Sequence, residues 1–367
     1  MSHSPASSGL INARGTFTPL GVSRSSAAIA HATANALSEF HKISDLQITL
    51  ESALQKWSGA EAGFATHCTA ASITLAVAAC LTSTDQEAIA SLPHYDGAHR
   101  KVLIPAGHCV NYGQSILQAI RLSGAKPYIV GSEHSFSLQD LEEALKADGI
   151  AALLLVSSRL TKGDAIDFNA AVALAHSYSV PVILDAAAQD FRVRELVETD
   201  ADLILISAQK YMAAPTTGLI VGKASHIAAV KAQEAGIGRA MKASKEALMG
   251  ALAALEERLS LDLSAWKAEQ SEKAHHFVTS ANEIKGITAW TEPDSTGLPF
   301  DRSCLKVDSD LYGCSATELA DRLRNSSPSI WVIDHLAEQS LLLFELVPLK
   351  QEECKAILDR LAVSQRD

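Results

Sequence analysis

Between residues 101 and 222, short apolar runs alternate with helix-favouring stretches, and this alternation limits the fold more than any other feature of the chain. The apolar runs are Lys101–Pro105 (KVLIP), Lys126–Val130 (KPYIV), Ile150–Val156 (IAALLLV), 180–184 (VPVIL), 203–206 (LILI) and 219–221 (LIV). Between them, the spacing predicts helices over 113–123, stopped by Gly124, and over 137–147, with Leu138, Leu141 and Leu145 on one face. A further helix is predicted over 169–178. Short, almost uninterrupted apolar strands separated by helices imply an α/β fold, with a mainly parallel sheet covered on both faces.

The flanking sequence adds two elements to this frame. Residues 25–57 are rich in Ala and Leu without Pro or Gly, which favours helices; 60–66 is a short segment before a helical run over 72–81. Upstream, residues 1–10 read as a loose polar arm, and INARGTFTPLG (11–21), with Gly15, Pro19 and Gly21, is expected to be extended or looped. Helix-rich sequence covers 224–261. Beyond it, short strands (329–333, Leu341–Phe344) mix with helices (315–324, 351–361), the pattern of a small α+β domain. The expected division is an N-terminal arm and helix over 1–40, a large α/β domain over 41–260 and a small C-terminal domain over 261–367.

Charge and cysteine usage narrow the function classes. Lys and Arg number 31 against 42 Asp and Glu, a net charge of −11, so no overall basic field attracts nucleic acid or an anionic membrane. The six cysteines form no C-x-x-C pair, which argues for a reduced, cytoplasmic protein without a structural zinc site. The N-terminus lacks the basic and apolar regions of a secretion signal. The most apolar stretch, around 70–81, is shorter than the ~20 residues of a membrane span.

Parallel sheets bind ligands at the carboxyl ends of their strands, and three features fall there. Asp185 follows VPVIL directly, in VILDAAAQD, ahead of three alanines against which a flat ring can press. The same position also suits an N-cap or an ion pair. Lys210 lies shortly after LILIS, in SAQKYMAAPTTG. A lysine desolvated at a sheet mouth can act as a neutral amine toward an aldehyde, and its plain alternative is an exposed loop lysine. The small residues of THCTAAS (66–72) precede an apolar helix, whose first N–H groups suit a phosphate, a signal weak by itself. Together they supply a phosphate cradle, an acid for a pyridine nitrogen and an amine for an aldehyde, the groups that pyridoxal phosphate requires.

These segments resemble the fold-type I pyridoxal-phosphate enzymes, and within them the selenocysteine synthase-like group that includes the D-glucosaminate-6-phosphate ammonia-lyases. The resemblance runs from INARGTFTPLG to the last helix. It is carried by ATHCTAASITLAVAACL (65–81), LIPAGHCVNYG (103–113), VILDAAAQD (182–190) and ISAQKYMAAPTTGLIVG (206–222). It implies Lys210 as the Schiff-base lysine and later the base at the α-carbon, and Asp185 as the partner of the pyridinium N–H. It also implies His108 stacked on the cofactor ring (a loop histidine is the alternative). Cys68, Thr69 and Ser207 would be phosphate donors, with Thr216 and Thr217 reaching the phosphate or the site of a neighbouring subunit. His67 reads equally as a structural histidine or a substrate contact. Arg14 offers a bidentate clamp for a substrate carboxylate, against a surface arginine as the alternative. Where the group carries arginines, SPSIWVIDH (327–335) and FELVPL (344–349) place Ile333 and Val347, which argues against a sugar-acid phosphate substrate.

The implied activity is a β-eliminating, ammonia-releasing lyase acting on an amino acid, in a homodimer or higher homo-oligomer. Transamination, racemisation and retro-aldol cleavage are the alternatives for the same machinery. A selenocysteine synthase is disfavoured, because the chain is acidic and its N-terminal arm has no basic cluster for tRNA. A non-catalytic relative is disfavoured by the presence of both Lys210 and Asp185.

Overall fold

The computed structural model describes residues 9–364, so the expected polar arm lies outside the described residues up to residue 8. The chain divides into two compact units: residues up to Arg24 together with those from Leu261 onward, and Ser25–Ser260. The stretch read as one N-terminal arm and helix therefore splits. Strand β1 (Leu10–Asn12) pairs in parallel with Ser329–Trp331 of the smaller unit, whereas helix α1 (Ala27–Ser38) belongs to the larger one.

The larger unit is built on seven strands: β2 (Ala62–Thr66), β3 (Lys101–Pro105), β4 (Lys126–Val130), β5 (Ile150–Val156), β6 (Val182–Asp185), β7 (Leu203–Ser207) and β8 (Gly218–Gly222). Their spatial order is β2–β8–β7–β6–β5–β3–β4. β8 is antiparallel to both β2 and β7, and the other pairs are parallel. Six strands thus run one way and β8 runs back. One edge of the sheet gathers the ends of β2, β7, β6, β5 and β3 and the beginning of β8. In register, Thr66 lies opposite Gly218, Gly218 opposite Ser207, and Asp185 opposite Val156.

The apolar runs are uninterrupted because both faces of the sheet are buried. Leu153, Leu155, Leu184, Ile204 and Ile206 face one core, with α2 (Ile43–Ser58) and the helices Phe168–Ser177 and Lys245–Ser260. Leu154, Ile183, Leu203 and Leu205 face the other, with α3 (Thr69–Thr82) and the helices Ile116–Leu122 and Ala224–Ala232. A one-residue register slip would exchange the two sets, so register is strongly specified here. β6 begins at Val182 rather than 180, since Val180 donates back to Ala175 of the preceding helix and Pro181 has no N–H to give the ladder.

In the smaller unit, β9 (Ile287–Pro293), β10 (Asp301–Val307) and β12 (Leu341–Phe344) form an antiparallel sheet in the order β12–β10–β9. β9 and β10 were not anticipated. The strand expected over 329–333 is shorter: β11 (Ser329–Trp331) pairs with β1, and Ile333 makes a single bridge to Leu343. Phe277 of the helix Leu263–Ala281 packs on Phe344 at the centre of this unit, with ring centroids 5.3 Å apart. Among the described residues, no helix is long and apolar enough to cross a membrane.

Candidate active site

Asp185 closes β6 and is buried. Burial raises its carboxyl from 3.8 to about 6, partly offset by the positive charge of Lys210 and by the Ala187 N–H donated to Oδ1 at 3.3 Å. Lys210 lies beyond the end of β7, the strand next to β6, in a tight turn where its N–H reaches the Ser207 carbonyl at 3.2 Å. The fold thus places the carboxylate and the amine at neighbouring strand ends and within electrostatic reach of each other. Ser207 is buried and lies opposite Gly218.

The sequence after Asp185 supports this turn from behind. Arg258 pairs with the buried Asp190 at 2.7 Å, stands over the Phe191 ring at 3.9 Å from its centroid, and donates to the Tyr211 carbonyl at 2.7 Å. One guanidinium thereby ties the end of VILDAAAQD to the residue following Lys210. Burial raises the Asp190 carboxyl, with Arg258 and then Lys210 acting against it.

The strand β2 delivers α3 to the same edge. Cys68 is the N-cap of α3 but makes no side-chain cap, and the helical ladder begins with Ser72 donating to the Cys68 carbonyl at 2.9 Å. The N–H groups of the first turn therefore lack intrahelical acceptors and point to the sheet edge. The Thr69 hydroxyl is buried without a hydrogen-bond partner. Thr66 Oγ1 braces the turn, 2.7 Å from Ser72 Oγ and 3.0 Å from the Cys68 carbonyl. Gly218 is required here: a Cβ would collide with Ser72 Oγ and come within 2.6 Å of the Cys68 backbone.

His108 follows β3 in a short 3-10 turn and is buried. The N–H of Val156, at the end of β5, donates to its Nδ1 at 2.9 Å, so the neutral ring carries its proton on Nε2. Burial lowers its pKa to about 4, which keeps it neutral at pH 7. Since Val156 lies opposite Asp185, the imidazole is pinned to the strand beside the buried carboxylate. Tyr112, on the loop after His108, was not singled out from the sequence. Its hydroxyl is buried without a partner, and its proton affinity is raised by burial and by the nearby Asp185 and Cys68.

Other expected site residues are placed differently. Thr217 is fully buried, with its hydroxyl turned to the Ala247 carbonyl at 3.5 Å. Thr216 is exposed and donates to Gln209 Oε1 at 2.7 Å. His67 is exposed, and its N–H goes to the Met241 carbonyl. Arg14 sits in the smaller unit, bonded to Asp334 at 2.8 Å and to the Val332 carbonyl at 3.3 Å, with its guanidinium 4.3 Å from the Phe17 ring centroid. Asp334 also takes Arg324, at 2.5 Å.

The sequence model of the beta-eliminating lyase family matches residues 24–294. The chain belongs to that family. It is 32% identical to the D-glucosaminate-6-phosphate ammonia lyase of Salmonella typhimurium (strain 14028s / SGSC 2262) over 96% of this chain and 94% of that protein. A solved structure of a D-glucosaminate-6-phosphate ammonia-lyase superposes with a TM-score of 0.87, covering 97% of this chain and 95% of the other. The chain is also 33% identical to a 5'-C-glycyluridine monooxygenase-decarboxylase of Streptomyces sp, over 89% of this chain and 82% of that one. An L-seryl-tRNA(Sec) selenium transferase of Alkaliphilus oremlandii (strain OhILAs) is 22% identical over 71% and 62%. The fold is that of the fold-type I pyridoxal-phosphate enzymes, and this lyase family works with that cofactor. The residues present fit such a group. An unpartnered hydroxyl and uncapped N–H groups at α3 suit its phosphate, and a buried carboxylate beside a lysine suits its ring and aldehyde.

Proposed function

We propose that this chain binds pyridoxal phosphate at the edge formed by β2, β8, β7, β6, β5 and β3 and acts as a lyase on an amino acid. The observation that carries this is the convergence of Asp185, Lys210 and the start of α3 on one sheet edge. Bound pyridoxal phosphate supplies an aldehyde that captures an amine and a ring that spreads the charge of a carbanion. Lys210 would be the residue that binds the aldehyde, and its amine, when free, would be the base for the α-proton. Asp185 accepts the ring N–H and keeps that nitrogen protonated; a cationic partner also offsets the burial that now raises its pKa. His108, neutral and pinned by Val156, would lie against the ring. Thr69, the first N–H groups of α3 and Ser207 hold the phosphate. A substrate would give its α-proton to Lys210 and lose a β-hydroxyl, as water, or a similar group; hydrolysis of the resulting enamine would yield a 2-oxo acid and ammonia.

Ile333, buried and apolar, and Val347, where the group carries arginines, argue against a phosphorylated sugar acid as the substrate. The resemblance alone carries Arg14, whose guanidinium pairs with Asp334, as the candidate for the substrate carboxylate. The working form is a cytoplasmic homodimer or higher homo-oligomer, an assignment supported by the fold-type I resemblance and tested by light scattering of the purified protein. The activity is tested by incubating the cofactor-loaded protein with D- and L-amino acids, including β-hydroxy ones. Ammonia and a 2-oxo acid without any amino acceptor support the lyase. The monooxygenase-decarboxylase relative favours one second reading, oxidative decarboxylation, which would instead consume oxygen and release carbon dioxide.

A further inference from the structure

The hydroxyl of Tyr112 is a buried donor with nothing to donate to. It sits on the loop between β3 and the helix Ile116–Leu122, past His108, at the edge where the site assembles. The loop is tightly fixed: Tyr112 N–H bonds to the Gln114 carbonyl at 3.1 Å, and Asn111 Oδ1 accepts the Gly113 N–H at 2.9 Å. The ring of Tyr112 packs against the core that α3 covers, so its position is set by apolar contact and its hydroxyl is left in the interior. That hydroxyl has no exposed surface and no partner, and the nearby titratable groups that act on it are Asp185 and Cys68. The Thr69 hydroxyl, at the start of the same helix as Cys68, is orphaned in the same way. A buried polar group without a partner costs about 1–3 kcal/mol, so two of them, one near Cys68 and the other on the residue after it, point to an acceptor from outside the chain.

We propose that Tyr112 donates its hydroxyl to the cofactor phosphate and, with Thr69 and the first turn of α3, completes the cradle. This rests on the pyridoxal-phosphate reading above. Burial and the two neighbours keep the phenol protonated at every working pH, so Tyr112 serves as a donor and not as a base. A phosphate offers several acceptor oxygens, enough for the tyrosine, the threonine and the helix N–H groups at once.

The test uses the apoprotein and two probes that differ by the phosphate, pyridoxal phosphate and pyridoxal, titrated by absorbance and intrinsic fluorescence. Tyr112→Phe keeps the ring packing and removes the donor. The expected result is an affinity for pyridoxal phosphate weakened about tenfold or more, as for a lost bond to a charged acceptor, with the affinity for pyridoxal unchanged. The apoprotein of the variant should unfold at the same temperature as wild type or slightly higher, because an unsatisfied buried hydroxyl has gone. An unchanged affinity for pyridoxal phosphate overturns the proposal. So does an equal loss for both probes, which would move the hydroxyl to the ring. A lowered unfolding temperature with both affinities intact would make Tyr112 a packing residue only and overturns it too. If wild-type protein binds neither probe, the cofactor reading itself fails, an outcome distinct from all of these.

Discussion

Removing the charge at Asp185 should make the apoprotein more stable while disabling it. The carboxyl is buried, and the rise from 3.8 to about 6 is dominated by desolvation of the charged form. The native state holds this proton up to about pH 6, whereas the unfolded chain releases it near 3.8, so stability falls as pH rises through that window and stays lowered above it. At roughly 1.4 kcal/mol per pH unit, that rise amounts to about 3 kcal/mol. Asp185→Asn keeps the shape and removes the charge. Denaturant unfolding of both apoproteins at several pH values should show Asn more stable by up to about 3 kcal/mol at pH 7, the gap closing below about pH 4. His108, whose pKa is lowered to about 4, contributes the opposite slope between pH 4 and 6.5, but it does so in both proteins and cancels in the difference. The same variant should bind pyridoxal phosphate more weakly, having lost the partner of the ring nitrogen. A variant no more stable than wild type at pH 7, or a gap that does not change with pH, would refute the claim that Asp185 is held in a costly state for function.

Three further outcomes follow from the same geometry. Gly218→Ala drives a methyl into Ser72 Oγ and the Cys68 backbone; it should cost ~1–3 kcal/mol in unfolding free energy and weaken phosphate-dependent cofactor binding by displacing the start of α3. Arg258→Met leaves Asp190 buried and uncompensated and should destabilise by about 3–5 kcal/mol, most of it recovered in the Arg258→Met/Asp190→Asn double variant; additive losses would show that the pair is not coupled. Arg14→Ala should raise KM for a carboxylate substrate and leave the absorption spectrum of the loaded enzyme alone, and an unchanged KM would remove Arg14 from the site.

The parts of the fold legible in the sequence are those whose signal is local. β5 and β7 read as strands because both faces are buried, so no polar residue interrupts IAALLLV or LILIS. Asp185 and Lys210 stood out because each follows such a run. β9 was missed because ITAWTEP is only half-buried, with Thr288 and Glu292 exposed on one face and Thr291 and Pro293 exposed toward its end on the other. β1 and β11 find each other across most of the chain, a pairing that no window of sequence contains. The same holds for Arg14 and Asp334, 320 residues apart, and for Arg258 and Asp190. Tyr112 belongs to no motif. What marks it is a hydroxyl without a partner, visible only once the loop has closed over the core. Thr217 shows the converse: a polar residue in a site-like segment whose hydroxyl folding turns inward to Ala247.

Whether the amine of Lys210 carries pyridoxal phosphate decides the whole account. Protein loaded with the cofactor, reduced with borohydride, digested and examined by mass spectrometry should carry the reduced pyridoxyl group on the peptide containing Lys210, and Lys210→Ala should carry none there. A label found only on another lysine, or no label on protein that remains folded, would contradict it.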